Sequence, residues 1–218
     1  MKSKLISMIE AELKSKERFL LGICGAPGAG KSTLAAWLVE AYNELHNGQA
    51  VLVPMDGYHL SNEELERRSL LALKGIPETF DGESFLAKIE AIKSYPAQNH
   101  FCPRFDRSIE ASIENEIKVF PEHKLIVVEG NYLLLESPPW VHLKQFFDQV
   151  WFISANENLL LPRLQVRHQL AGRSPAAARE KLESTDLPNA KLVAQSKARA
   201  DFLIEAEDLH DPSIPAAL

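Results

Sequence analysis

The residues Gly25-Ala26-Pro27-Gly28-Ala29-Gly30-Lys31-Ser32-Thr33 decide the fold. They satisfy G-x-x-x-x-G-K-[ST], and their flanks make the match informative. Upstream, Phe19 to Cys24 reads FLLGIC, a short apolar run of the buried-strand type. Downstream, Leu34, Trp37, Leu38, Ala41, Tyr42 and Leu45 recur at helical spacing. Strand, glycine-rich turn and helix in that order make a phosphate cradle. Glycines let the backbone curl with its N–H groups inward, and a helix beginning near Lys31 adds its positive N-terminal end. In such a loop Lys31 bridges the β- and γ-phosphates, and the Ser32 hydroxyl is a ligand for Mg²⁺. ATP and Mg²⁺ are the expected cofactors. A chance glycine-rich turn would not need this strand before it and this helix after it.

Further apolar runs lie at Ala50–Pro54, Lys124–Gly130, Gln149–Ser154 and Asp201–Ala206. Helical patterns alternate with them, at Glu63–Leu73, at Glu83–Ile92 and at Asn156–Leu170, the last breaking at Gly172 and restarting after Pro175. That alternation predicts an α/β chain with the three-layer P-loop NTPase fold: a parallel sheet with helices on both faces. Residues 1–18 read as an amphipathic helix docked through Leu5, Ile6, Met8, Ile9 and Leu13. The stretch 95–120 reads as a hairpin-like excursion outside the main sheet. With no repeat, low-complexity tract or linker, 1–218 is expected to be one domain.

Composition narrows the function. Net charge is −6, with 45% hydrophobic and 25% charged residues. An acidic chain is a poor electrostatic match for nucleic acid, so any phosphate site must be local and pre-arranged. No apolar run is long enough to span a bilayer, which argues against a membrane partner. Cys24 and Cys102 could formally pair, but no signal-peptide pattern accompanies them, and a reduced, cytoplasmic protein is the expectation. His46, His100, His123, His142, His168 and His210 show no metal-ligand spacing.

Two carboxylates stand out. Glu129 ends the run KLIVVEG, where a second anchor for the metal is expected; a solvated strand-end acid is the plainer alternative. Asp56 comes after AVLVP, at the carboxyl end of a strand, the edge that carries ligands in open α/β sheets. There it could take the proton of a hydroxyl attacking the γ-phosphate; an Asp-Gly turn is its plain alternative. Tyr58, His59 and Asn62 lie just beyond and could line an acceptor pocket.

Four segments together, GAPGAGKST, MDGYHLSN, KGIPETFD (Lys74–Asp81) and VVEGNYLLL (Val127–Leu135), resemble the superfamily of uridine kinase, phosphoribulokinase and bacterial pantothenate kinase. The combination is most similar to a bacterial nucleoside/nucleotide kinase-like group that includes kinases linked to fructose transport. The resemblance implies that Asp56 matches the family's catalytic Asp, the base for the hydroxyl proton, and Glu129 its strand-end acid. It puts Arg163, Arg167 and Arg173 in a small helical lid over 163–185 that closes on the phosphates, with Arg167 and Arg173 flanking the tip at Gly172. Asp81, Asn131 and, in PRFDRS, Arg104, Asp106 and Arg107 fall on acceptor-side motifs. Asp186, Asn189 and a turn around Pro188 fall where the resemblance would hold the base. The implied activity is transfer of the γ-phosphate of ATP to a hydroxyl of a small metabolite such as a sugar, a pantothenate-like compound or a nucleoside. Uridine-binding and pantothenate-gripping patterns are not recognisable. A homodimer is compatible with all of this. The rivals are an ATPase or a nucleotide-binding regulatory module without an acceptor. A switch GTPase would need N-K-x-D and D-x-x-G, which the chain lacks.

Overall fold

The computed structural model describes residues 2–209; His210, which shows no metal-ligand spacing, lies outside them. Helix α1 (Lys2–Leu13) precedes β1 (Phe19–Gly25), α2 (Lys31–His46) and β2 (Ala50–Pro54). A 3₁₀ turn (Met55–Tyr58) leads to α3 (Asn62–Arg67), and α4 (Gly82–Ser94) comes after two more 3₁₀ turns. Next come β3 (His100–Asp106), β4 (Ala111–Val119), β5 (Leu125–Gly130), β6 (Gln149–Ser154) and α5 (Glu157–Leu170). Then α6 (Pro175–Lys181), a π-helical segment (Leu182–Asp186) and α7 (Leu187–Gln195) run head to tail before β7 (Phe202–Glu205).

Five strands form a parallel sheet in the order β2-β5-β1-β6-β7. Both β1 and β5 are buried along their whole length, which is why their sequences are apolar without alternation. Successive side chains still go to opposite faces. Leu21, Ile23, Val127 and Trp151 pack with α1, α2 and α5 on one side. Leu20, Ile126, Val128 and Phe152 pack with α4 and the hairpin on the other. α1 is docked through Leu5 and Ile9, both fully buried, but it ends at Leu13 rather than running on to 18.

Three further expectations need correcting. Leu45 is 62% exposed, because the buried line of α2 runs through Leu34, Ala35, Leu38 and Tyr42 and leaves the last turn outside. The helix expected over 63–73 stops at Arg67; Ser69 takes φ 58, which an α-helix cannot continue through, and only a 3₁₀ turn (Leu71–Leu73) comes after it. No turn surrounds Pro188, which lies within a continuous helical run, just where the π-helical segment passes into α7.

The stretch 95–120 does leave the sheet: β3 and β4 pair only with each other, antiparallel, with a register shift between Cys102 and Arg104. The hairpin lies on the turn after β2. A Cβ added to Gly57 would run into the Pro103 carbonyl oxygen. Gly57 does not take a positive φ. The Asp-Gly pair thus exists for close approach of the hairpin rather than for a left-handed turn.

Candidate active site

The phosphate loop joins β1 to α2. Gly30 is the N-cap of α2 at φ 100, a conformation that costs an L side chain dearly. Gly28 has φ 78, and a Cβ there would press on Leu164 Cγ at 3.1 Å, so α5 packs directly on the loop. Lys31 is 7% exposed and its Nζ donates to Ala26 O at 3.0 Å. Burial holds its pKa below the ordinary lysine value, with the Glu129 carboxylate pulling the other way.

Strand register brings the two acids to this loop. Glu129 pairs with Ile23 of β1 on one side and with Pro54 of β2 on the other. Asp56 stands two residues past Pro54, so both acids and Gly25 gather at the carboxyl edge of the sheet. Ser32 Oγ donates to Glu129 Oε1 at 3.1 Å. Burial, and secondarily the Asp56 charge, push the Glu129 carboxyl up to about 7 against Lys31 and the Ser32 hydrogen bond. Among the described residues no group of three His, Cys, Asp or Glu side chains could hold a metal alone. Two hard oxygens side by side do fit Mg²⁺, which keeps several waters and takes further oxygens from substrate phosphates. Asp56 is partly open, with Arg107 Nη2 3.6 Å from its Oδ2.

A cleft of about 780 Å³ opens over this edge. Of the residues expected from sequence it gathers Pro27, Lys31, Ser32, Asp56, His59 and Asn62, together with Arg107, Glu129, Asn131, Arg167, Arg173 and Asn189. Gly25, Ala26, Gly28, Ala29, Gly30 and Thr33 shape the loop beside it. Arg163 reaches that loop, donating from Nη1 to Gly28 O at 3.2 Å.

Four expected acceptor residues do not border the cleft. The Tyr58 ring is buried against Phe85 at 5.0 Å. Asp81 caps α4, accepting from Ser84 N and Ser84 Oγ at 3.0 and 2.7 Å. Arg104 lies between Asp106 and Glu116 on the hairpin, 3.6 Å from each. Asp106 accepts from Ser108 N and Oγ at 2.9 and 2.6 Å. These four side chains therefore serve the scaffold, as a core ring, a helix cap and contacts within the hairpin. Nor are the cysteines paired: both are free and buried, and burial pushes the Cys24 thiol up to about 11.

Sequence reading missed several neighbours. His59 stacks on Phe80 at 3.9 Å and tilts against Phe105 at 5.0 Å, forming an aromatic shelf in the cleft wall. Lys74 sits over Phe105 and reaches Asn62 Oδ1 at 2.9 Å and Glu110 Oε2 at 3.2 Å. His168, given no role by spacing, is buried with its Nε2 2.5 Å from Asp186 Oδ2, while Arg167 Nη2 is 3.6 Å from Oδ1 of the same carboxylate. Only the position of His168 beside the Arg167 of the expected lid could have flagged it. Asn189 is buried and donates to Gly75 O at 2.9 Å, which commits its amide to backbone.

No family model matches the chain. A protein of Schizosaccharomyces pombe provisionally named a uridine kinase is 32% identical over 200 residues, covering 88% of this chain and 85% of that one. A pantothenate kinase of Ligilactobacillus salivarius is 30% identical over 148 residues, covering 66% and 47%. The crystal structure of a protein from Silicibacter sp., described provisionally as a fructose transport system kinase, superposes with a TM-score of 0.82. It is 35% identical and covers 92% of this chain and 98% of that one.

Proposed function

This chain belongs to the P-loop kinase superfamily of uridine, pantothenate and phosphoribulose kinases, and from that premise we propose that it phosphorylates a polyhydroxylated small molecule, with Asp56 orienting the attacking hydroxyl. It is an ATP-dependent kinase acting on a hydroxyl of a small metabolite. The observation that carries the finer reading is the common edge: Asp56 lies one strand away from the Ser32–Glu129 pair, 3.1 Å across, at the mouth of one cleft.

In this reading Lys31 and the loop amides hold the triphosphate, and Ser32 and Glu129 hold Mg²⁺. The metal, when bound, neutralises phosphate charge. The acceptor lies over the His59–Phe80–Phe105 shelf, where ring faces suit the C–H face of a sugar or similar polyol and Asn62, Asn131 and Arg107 offer hydrogen bonds. Its hydroxyl oxygen bonds to the γ-phosphorus as the bridge to ADP breaks, and its proton passes to Asp56 Oδ. Arg167, with Arg163 and Arg173, brings positive charge to the transferring group from 163–185, the lid, and excludes water that would otherwise take the phosphoryl. The chain has no helix among the described residues long and apolar enough to cross a membrane, and we assign it to the cytoplasm, where ATP is made and used.

The test is ADP release measured over a panel of sugars, nucleosides, pantothenate and glycerate. One acceptor, expected among the polyols, should stimulate ATP turnover strongly. Turnover indifferent to every acceptor would leave an ATPase and remove Asp56 from the mechanism.

A further inference from the structure

The segment 71–76 forms one wall of the cleft, and its carbonyls are gripped by residues outside the segment. Lys181, the last residue of α6, donates from Nζ to Ala72 O at 3.0 Å and to Lys74 O at 2.9 Å. Asn189 of α7 and the hydroxyl of Tyr132 both donate to Gly75 O. Lys181 is half-buried and itself borders the cleft; burial lowers its pKa, with Asp186 raising it and Arg173 lowering it. An ammonium held in such a place needs acceptors, and the two carbonyls supply them.

The π-helical segment begins at the residue after Lys181, and this gives the contact its consequence. That segment ends on Asp186, whose carboxylate holds His168 and faces Arg167 on α5. One continuous helical piece therefore touches the wall segment 71–76 at its start and, at its end, Arg167, which borders the same cleft. Wide turns of this kind carry an extra residue per turn and recur at functional sites.

We propose that Lys181 is a positioning residue that ties the wall segment 71–76 to the arginine-bearing helices, so that nucleotide binding at the phosphate loop orders the acceptor wall. This rests on the kinase reading of the same cleft. The acceptor would then meet a wall already set when ATP is in place, and the coupling is reciprocal: an acceptor on the wall favours the same placement of Arg167.

The experiment is amide hydrogen exchange on the full chain with and without Mg²⁺ and the non-hydrolysable ATP analogue AMP-PNP, with nucleotide affinity titrated on the same samples. In the unaltered protein the analogue should slow exchange both in 167–174 and in 71–76, the latter by about tenfold, within the usual range of coupling between sites. In Lys181→Met, affinity and protection of 167–174 should persist while protection of 71–76 is lost. Lys181→Arg, which keeps charge and donors, should restore it; a merely structural role would loosen 71–76 equally with and without nucleotide. Should Lys181→Met not fold, Lys181→Gln makes the same comparison. The proposal is overturned if 71–76 stays protected in the Met or Gln variant, if Arg does not restore it, or if the unaltered protein binds the analogue and 71–76 does not respond. Failure to bind the analogue at all would instead strike the kinase reading itself.

Discussion

The two halves of the cleft are built by different means. On the proposed reading the phosphate half is one contiguous loop whose backbone would do the binding, with Gly28 and Gly30 at φ 78 and 100 and α2 starting at Lys31. The acceptor half is assembled from side chains of separate segments: Asp56 and His59 after β2, Phe80 before α4, Arg107 at the hairpin tip, Asn131 after β5. Backbone binding demands particular residues at fixed offsets, so it writes itself into eight consecutive positions. Side-chain binding demands only that distant residues converge, and that convergence is a property of the fold.

The largest expected effect separates the halves. Asp56→Asn keeps shape and removes the proton acceptor, so acceptor-dependent turnover should fall by roughly 10² to 10⁴-fold. Nucleotide affinity should stay, since Lys31, Ser32 and the loop are unchanged. Loss of ATP affinity with turnover spared at saturating ATP would move Asp56 into the phosphate half.

Lys31→Ala attacks the other half. Removing one pre-arranged positive donor should cost about 10² to 10³-fold in transfer, and here both nucleotide affinity and rate should suffer. Near-normal turnover would show that the loop amides alone carry the phosphates.

That contrast also explains what could be read in advance. The order of strands and helices was legible because a doubly buried strand such as Leu125–Val128 must be apolar throughout, and α1 and α2 must repeat at helical spacing. The place of Glu129 and Asp56 at the carboxyl edge of the sheet was legible because each stands at or just after the end of an apolar run. Asp81 and Tyr58 were not: a motif fixes where a residue falls along the chain, whereas a helix cap or a core ring is settled by the direction of its side chain. Nothing in the local pattern joined His168 to Asp186, 18 positions apart, because no period relates a lid helix to a π-helical turn.

A smaller effect tests whether the hairpin belongs to the acceptor half. Gly57→Ala drives a Cβ into Pro103 O, a contact that backbone must yield to. Overpacking of this kind costs about 1–3 kcal/mol. Since Arg107 and Phe105 ride on the hairpin, KM for the acceptor should rise with the loss of stability while affinity for AMP-PNP stays unchanged. If both ligands weaken together, the halves share a scaffold at Gly57 and the division between them is too sharp.

The smallest effect concerns His59, the base of the aromatic shelf. Burial against Phe80 and Phe105 lowers its pKa below 6.5, with Asp56 and Glu110 raising it and Lys74 lowering it. The unfolded chain therefore binds a proton here before the folded chain does, and stability rises with pH. The contribution is complete above about 6.5 and drains away as pH falls toward the folded value, at no more than about 1.4 kcal/mol per pH unit. Urea unfolding at pH 7.5 and pH 5.5 should show a larger loss for the unaltered protein than for His59→Gln, which has no proton to gain. His123, also lowered by burial, titrates in both proteins and cancels in the difference. In the phosphate half the origin is the same: burial holds Lys31 down, and the Glu129 carboxylate pulls the other way as Asp56 does for His59. His59 is packed between Phe80 and Phe105, and on the proposed reading a neutral ring there would suit an uncharged polyol. Equal pH losses in the two proteins would mean that His59 is already charged or solvated, and the shelf would then be read as a cationic surface suited to an anionic acceptor.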